Sequence, residues 1–136
     1  MAEERKLIRV VCAIIKGDNG RILAAQRGES QNQAGLWEFP GGKVDPGETT
    51  CAALLRELDE ELSIEVKCIT PLKEVIHHYP GCSIKLIPYI CEIVRGKPTA
   101  HEHSEVRWVT LKEAYTLRWA PADIPVLEEF CHIEPK

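Results

Sequence analysis

The chain has no Cys-x-x-Cys pair, no apolar run approaching the length that spans a bilayer, no excess of basic residues, no internal repeat and no low-complexity segment. Each absence removes a class. Cysteines stand at Cys12, Cys51, Cys68, Cys82, Cys91 and Cys131; without paired spacing a zinc site is not expected. Several of them lie inside apolar runs, where a thiol acts as a small hydrophobe. The N-terminus carries no signal-peptide pattern, so the expected setting is the reducing cytoplasm, with no membrane contact. The formal net charge of −4 argues against a nucleic-acid polymer as partner, since that would call for a basic face. It does not argue against a single nucleotide carried with its metal.

What is present is ordinary for a globular protein. Residues 1–136 have the length of one domain, with 44% hydrophobic and 28% charged residues. At this size folding buries roughly two thirds of the unfolded chain's surface, so a core needs no covalent staples. Leu7 to Ile15 is apolar and β-branched and reads as a buried strand. Asp18-Asn19-Gly20 signals a hairpin turn, and Arg21 to Gln26 returns as a strand. Residues 28–35 are polar and loop-like, and Trp37 to Phe39 is a short extended piece. A helix is expected from Gly47 or Glu48 to Leu62, with Cys51, Leu54, Leu55, Leu58 and Leu62 as its apolar stripe. Glu65 to Tyr79 and Ser83 to Val94 read as strand regions joined at Pro80-Gly81, and Val106 to Val109 as another. Thr110-Leu-Lys-Glu113 fits a capping box. A last amphipathic helix opens at Asp123-Ile-Pro125 and turns Val126, Leu127 and Phe130 inward. Strands interleaved with a central and a terminal helix predict a mixed sheet between helices, α/β or α+β.

The chemistry concentrates in Gly42-Lys-Val-Asp-Pro-Gly-Glu48 and Arg56-Glu57-Leu58-Asp59-Glu60-Glu61. Glu57, Glu60 and Glu61 are spaced i, i+3, i+4 and share a helix face, beside the apolar stripe. Like charges so placed repel by a few tenths of a kcal/mol per pair, about the size of one surface ion pair. A merely solvated helix would mix in lysines; a site for a hard divalent cation would use the carboxylate oxygens.

These residues match the Nudix box: Gly, five residues, Glu, seven residues, Arg-Glu, an aliphatic, any residue, Glu-Glu, any residue, Gly, an aliphatic. Only Ser63 departs, standing where that pattern has glycine. A pattern so long and so rich in fixed acids is far more specific than a lone Gly-x-Gly-x-x-Gly. Arg27, Trp37-Glu38-Phe39-Pro40-Gly41-Gly42-Lys43, Ala100-His101-Glu102-His103 and Ala120-Pro121-Ala122-Asp123-Ile124-Pro125 extend the resemblance to MutT-like enzymes over roughly residues 6 to 131. Within these, the chain is most similar to the bacterial CTP or pyrimidine deoxynucleotide pyrophosphohydrolase branch.

The resemblance implies the Nudix fold, an α/β/α sandwich with a mixed sheet. It implies hydrolysis of a nucleoside triphosphate to the monophosphate and pyrophosphate by attack at the β-phosphorus. The cofactor implied is Mg²⁺, with Mn²⁺ as a possible substitute. The substrates implied are CTP or dCTP, or oxidised and methylated deoxynucleotides, with nucleotide-pool sanitation as the role, in a monomer or homodimer. The ligand set it implies is the Gly41 carbonyl with Glu57, Glu60, Glu61 and Glu102. Arg56 is expected to orient Glu57, and Arg27 and Lys43 to bind phosphate oxygens. Glu57, Glu60 and Glu102 are alternative general bases.

Around the far end, Asp123 is a base reader or a helix N-cap, or both. As an aspartate it accepts from an exocyclic amine, and it needs a proton, or the base another tautomer, to act as asparagine would. Phe39 and Tyr79 are expected to stack on the base, with Ile8, Val10 and Ile84 lining the pocket. Glu102 is the expected ligand from its loop, against a His101-Glu102-His103 metal site. His77 and His78 read as surface. Ser63 is a matter of stability, costing up to about 1 kcal/mol if its φ is positive. Two other readings stay open: a Nudix hydrolase of a nucleotide sugar, ADP-ribose or dinucleoside polyphosphate, and a non-catalytic nucleotide-binding module.

Overall fold

The structure is a computed structural model that describes residues 6–133. Its strands are β1 (Lys6–Lys16), β2 (Ile22–Gln26), β3 (Trp37–Glu38), β4 (Gly41–Lys43), β5 (Glu65–Pro71), β6 (Val75–Tyr79), β7 (Cys82–Arg95) and β8 (Glu105–Val109). Its helices are α1 (Thr50–Leu62), α2 (Leu111–Ala114) and α3 (Ile124–Ile133). Among the described residues no helix is long and apolar enough to cross a membrane, and all six cysteines are free thiols.

The apolar run in β1 forms the spine. It lies parallel to β7 from Lys6↔Cys82 to Lys16↔Glu92. Short antiparallel strands share the outer edges of this pair. β2 meets β1 at Lys16↔Ile22, while β4 takes the stretch from Val10↔Lys43 to Cys12↔Gly41. On the far side β7 pairs first with β6 and then with β5, and β8 joins β2. The result is the mixed sheet expected, with helices on its two faces. Alternation along β1 sends Cys12 and Ile14 into one core with Val126, Leu127 and Phe130 of α3. Val11, Ala13 and Ile15 go to the other, with Leu54, Leu58 and Leu62 of α1.

Several boundaries differ from the sequence expectation. Helix α1 begins at Thr50 because Thr49 caps it, its side-chain oxygen accepting from the Ala52 N–H at 3.1 Å. Glu48 is held outside the helix by other partners. Leu55 is 39% exposed, since it stands about 100° around the helix from Leu54; Ala53 is buried in the stripe instead. The expected strand region from Glu65 to Tyr79 is two strands, β5 and β6, separated by residues 72–74. Gly41–Lys43, beyond the extended piece expected at Trp37 to Phe39, is a further short strand. The Asp18–Gly20 turn is as expected, with Asn19 and Gly20 both at positive φ, and Thr110 with Glu113 forms the full capping box.

Helix α1 ends at Ser63, which adopts the left-handed conformation (φ 58, ψ 41) and donates its N–H to the Asp59 carbonyl at 3.0 Å. Its hydroxyl pairs with His101 Nε2 at 2.7 Å in an exposed contact. A glycine would take this conformation at about 1 kcal/mol less cost, against a few tenths from an exposed hydrogen bond. The Ser63→Gly variant is therefore expected to melt about 3 °C higher. A thermal scan checks this, and an unchanged or lower Tm would show that the hydroxyl–imidazole pair outweighs the backbone strain.

Candidate active site

The outer face of α1 is organised by Arg56. Its Nε and Nη2 donate to the two oxygens of Glu48 at 2.8 and 2.9 Å, a bidentate pair. Nη1 donates to Glu57 at 3.1 Å and to Glu60 at 3.3 Å, and Nη2 also reaches the Lys43 carbonyl at 3.2 Å. Asp45 adds a fourth acid at 3.4 Å. The expected link from Arg56 to Glu57 is present, but the main partner is Glu48, to which the sequence reading gave no separate role. The Arg56 guanidinium and the Asp45 backbone N–H together pull the Glu48 carboxyl down to about 2.

Strand β4 brings backbone to the same place. Its ladder to β1 is marked by the bonds Ala13 N–H to Pro40 and Val44 N–H to Arg9. Antiparallel hydrogen bonds alternate along a strand, so the backbone groups of Gly41 and Lys43 face away from β1. The bond from Arg56 to the Lys43 carbonyl fits this orientation. Neither glycine has room for a side chain: a Cβ at Gly41 would meet the Val11 carbonyl, and one at Gly42 the Glu57 carboxylate.

Glu61 lies deeper. Burial pushes its carboxyl up to about 8, with Glu57, Glu38 and Glu102 adding repulsion and the Gly41 backbone opposing it. Glu57 is also raised, first by burial. The Glu61 Oε1 atom is buried and has no hydrogen-bond partner. An orphaned acceptor amid several carboxylates is a position that a hard divalent cation fits. Among the described residues no three acidic, imidazole or thiol side chains already stand as a ligand group. Glu60 and Glu102 are exposed, and Glu102 is near enough to raise Glu61.

A cavity of about 610 Å³ runs from this acidic wall. Glu61, Gly41, Gly42 and Lys43 line it together with Arg27, Phe39, Tyr79 and Asp123, and the Arg27 charge is near enough to oppose the upward shift of Asp123. Val10 and Ile84 line it as expected, whereas Ile8 is not part of the wall. Phe39 is buried against Trp119, ring centres 4.7 Å apart. Asp123 is buried, and its Oδ1 accepts from the Phe39 N–H at 2.9 Å. That oxygen bonds a backbone N–H 84 residues away, just after β3, rather than the end of α3. Burial pushes the Asp123 carboxyl up to about 8.

The histidines separate. His101 is exposed and bonds Ser63, while His103 is buried with its Nε2 at 2.9 Å from Glu38. The His101-Glu102-His103 alternative is thereby overturned, because residues 101–104 form a bend instead of a strand and the two rings point to different partners. His77 packs on Tyr79, and His78 Nδ1 pairs with Ser83 at 2.6 Å. Sequence reasoning missed Glu38, which bonds Arg27 at 2.7 Å and faces the cavity. A lone carboxylate inside Trp37-Glu38-Phe39-Pro40 was the available signal.

Comparison with known proteins places this geometry. The NUDIX domain family matches residues 6–130. The chain is 46% identical over 125 residues to the CTP pyrophosphohydrolase of Escherichia coli, covering 92% of each chain. It is 40% identical over 117 residues to the putative 8-oxo-dGTP diphosphatase 2 of Mycobacterium tuberculosis, covering 85% of this chain and 82% of that one. The crystal structure of MutT protein from Methanosarcina mazei superposes with a TM-score of 0.87 at 28% identity, over 99% of this chain and 100% of the other.

The raised carboxyls set the pH response. From their ordinary values of 4.5 and 3.8 up to about 8, folded Glu61 and Asp123 hold protons that the unfolded chain has released. Stability from these groups is therefore full at low pH and is lost as pH rises through that window. Glu48, depressed to about 2, acts oppositely and only below its ordinary value of 4.5. In chelator the Tm is expected to fall between pH 5 and pH 8. Added Mg²⁺ should raise it more at pH 8 than at pH 6, because binding requires the ionised form. Glu61→Gln should flatten part of the fall and abolish the Mg²⁺ response; a variant that keeps the full response would remove Glu61 from the metal site.

Proposed function

Since this chain belongs to the NUDIX family, we propose that it is a pyrophosphohydrolase that converts a nucleoside triphosphate to the monophosphate and pyrophosphate. Its preferred substrates are CTP and dCTP or oxidised and methylated deoxynucleotides, and its role is sanitation of the nucleotide pool. The observation that carries this reading is the single cavity with two chemically different sets of lining residues. Its lining combines Glu61, the backbone of Gly41 and Gly42 and the cations Arg27 and Lys43 with Phe39, Tyr79 and the buried Asp123; in this reading the first set is the phosphate end and the second the base end.

In this reading Gly41, Glu57, Glu60, Glu61 and Glu102 hold a divalent cation, Mg²⁺ with Mn²⁺ as substitute. The cation supplies neutralisation of phosphate oxygens and activation of water. Arg56 Nη1 bonds both Glu57 and Glu60 and so restrains the two carboxylates on one side of α1. Arg27 and Lys43 neutralise the triphosphate and orient it for in-line attack. Glu57 and Glu60 have oxygens committed to Arg56. We assign orientation of the attacking water to Glu102, whose charge reaches Glu61 and which has no bond to Arg56. Phe39 and Tyr79 enclose the base. With Asp123 Oδ1 occupied by the Phe39 N–H, the second oxygen carries the proton that its raised affinity retains near neutrality. It donates to a ring nitrogen when protonated and accepts from an exocyclic amine when ionised.

Every acid of the box is present, which disfavours a non-catalytic module. Incubation with CTP, dCTP, 5-methyl-dCTP and 8-oxo-dGTP in Mg²⁺ is expected to release pyrophosphate from at least one; release from none, with turnover of a nucleotide sugar or ADP-ribose instead, would replace the substrate class. Glu57→Gln and Glu61→Gln are each expected to lower turnover at least about 10²-fold while leaving the protein folded. Near-wild-type kcat in either would exclude that side chain as a ligand.

A further inference from the structure

We propose that His103 is a positioning residue, acting through Glu38 to hold Arg27 at the phosphate end of the cavity. The inference rests on the pyrophosphohydrolase reading for what Arg27 contacts, and on geometry alone for how Arg27 is held. The His103 side chain is 2% exposed, and its Nε2 lies 2.9 Å from Glu38 Oε2. The other oxygen of Glu38 accepts from Arg27 Nη1 at 2.7 Å, so one carboxylate joins the imidazole to the guanidinium. Because Glu38 is ion-paired with Arg27, its oxygens accept and the imidazole Nε2 donates. Arg27 Nε is fixed in turn by the Asn32 carbonyl at 2.6 Å. Two anchors define the plane of the guanidinium and leave its remaining donors for a ligand.

The simplest alternative is that His103 only fills the core. A core-filling imidazole would be expected to have both nitrogens satisfied by nearby groups. Here one nitrogen is given to a carboxylate that lines the cavity, and Nδ1 is buried with no partner. Burying such a polar ring with half its bonding unmet is unfavourable, and what it secures is the orientation of Glu38. The backbone around it is locked to the same frame. Ser104 N–H bonds the Gln26 carbonyl at 2.9 Å, and Gly28 packs so tightly that a Cβ there would stand 2.7 Å from the Glu102 carbonyl. One short bend thus presents Glu102 to the metal side and His103 to the arginine side. Glu38 sits between the two ends, since its charge raises both Glu61 and Asp123.

The test compares His103→Leu, which keeps apolar bulk without a donor, with His103→Gln, whose amide nitrogen reaches about as far as Nε2. On the best triphosphate in Mg²⁺, His103→Leu is expected to lower kcat/KM about 10- to 10²-fold, mainly through KM, because Arg27 grips phosphate in ground and transition state alike. His103→Gln should recover most of that loss. In a Glu38→Gln background the further change to Leu should add little, the signature of one shared path. Should His103→Leu not fold, His103→Asn, with the right chemistry but too short a reach, takes its place against His103→Gln. Independently of turnover, the Arg27 Nε–Hε NMR resonance should shift and broaden in the Leu or Asn variant and stay near wild type in Gln. Equal losses in all variants, additive losses in the Glu38→Gln background, or an unmoved Arg27 resonance would overturn the proposal. A wild type that cleaves no triphosphate would overturn the function reading instead, and the Arg27 resonance would still decide this one.

Discussion

Arg56 grips Glu48 with two nitrogens and reaches Glu57 and Glu60 with a third, so one guanidinium offsets the repulsion of an acidic cluster that helical spacing forces together. Without it, three carboxylates on adjacent turns would splay into solvent, and the loop from Asp45 to Glu48 would have no anchor against α1. The same cation reaches the Lys43 carbonyl, which ties strand β4 to the helix and sets the backbone of Gly41 opposite Glu61. A lysine could not replace it, since a point charge lacks the fork needed to serve several acceptors in fixed directions. The glycines complete this arrangement by omission: where α1 and the sheet come closest, a methyl group would occupy the place of the Glu57 carboxylate.

Much of the fold was legible because periodicity is a strong signal wherever burial is one-sided. The inward set Val126, Leu127 and Phe130 and the stripe Leu54, Leu58 and Leu62 are buried as the 3.6-residue period requires. The failures share a cause, which is that local pattern says little about partners distant in sequence. Helix α1 starts later than its residues suggest because Glu48 is held by Arg56 from the helix itself. Asp123 resembles an N-cap in its local context, and only the fold brings the Phe39 N–H to it. The box acids could be named from their spacing, and the cavity residues Arg27, Phe39, Lys43, Tyr79 and Asp123 only through the family resemblance. The role of Glu38 could not, since it depends on the end of β2, strand β3 and the 101–104 bend meeting at one carboxylate.

The two ends of the cavity are joined by electrostatics as well as by space. Glu38 raises the proton affinity of Glu61 on one side and of Asp123 on the other, while Arg27 counters it at Asp123. A ligand that neutralises the acidic end therefore changes the field felt by the group at the base end. On the proposed function, recognition of a base and binding of a metal–phosphate unit become coupled free energies, without any moving part being required.

Strand β1 sends alternate side chains into two cores, one beneath α1 and one beneath α3. The helix with the box acids and the helix that follows Asp123 thus rest on opposite sides of a single ribbon. Loosening that ribbon opens both cores, so the two halves of the site are expected to exchange amide hydrogens as one cooperative unit. Such a molecule has little access to a state in which the phosphate end is intact and the base end melted. Damage to either core is then felt as a loss of the whole folded population, while each surviving molecule keeps its selectivity.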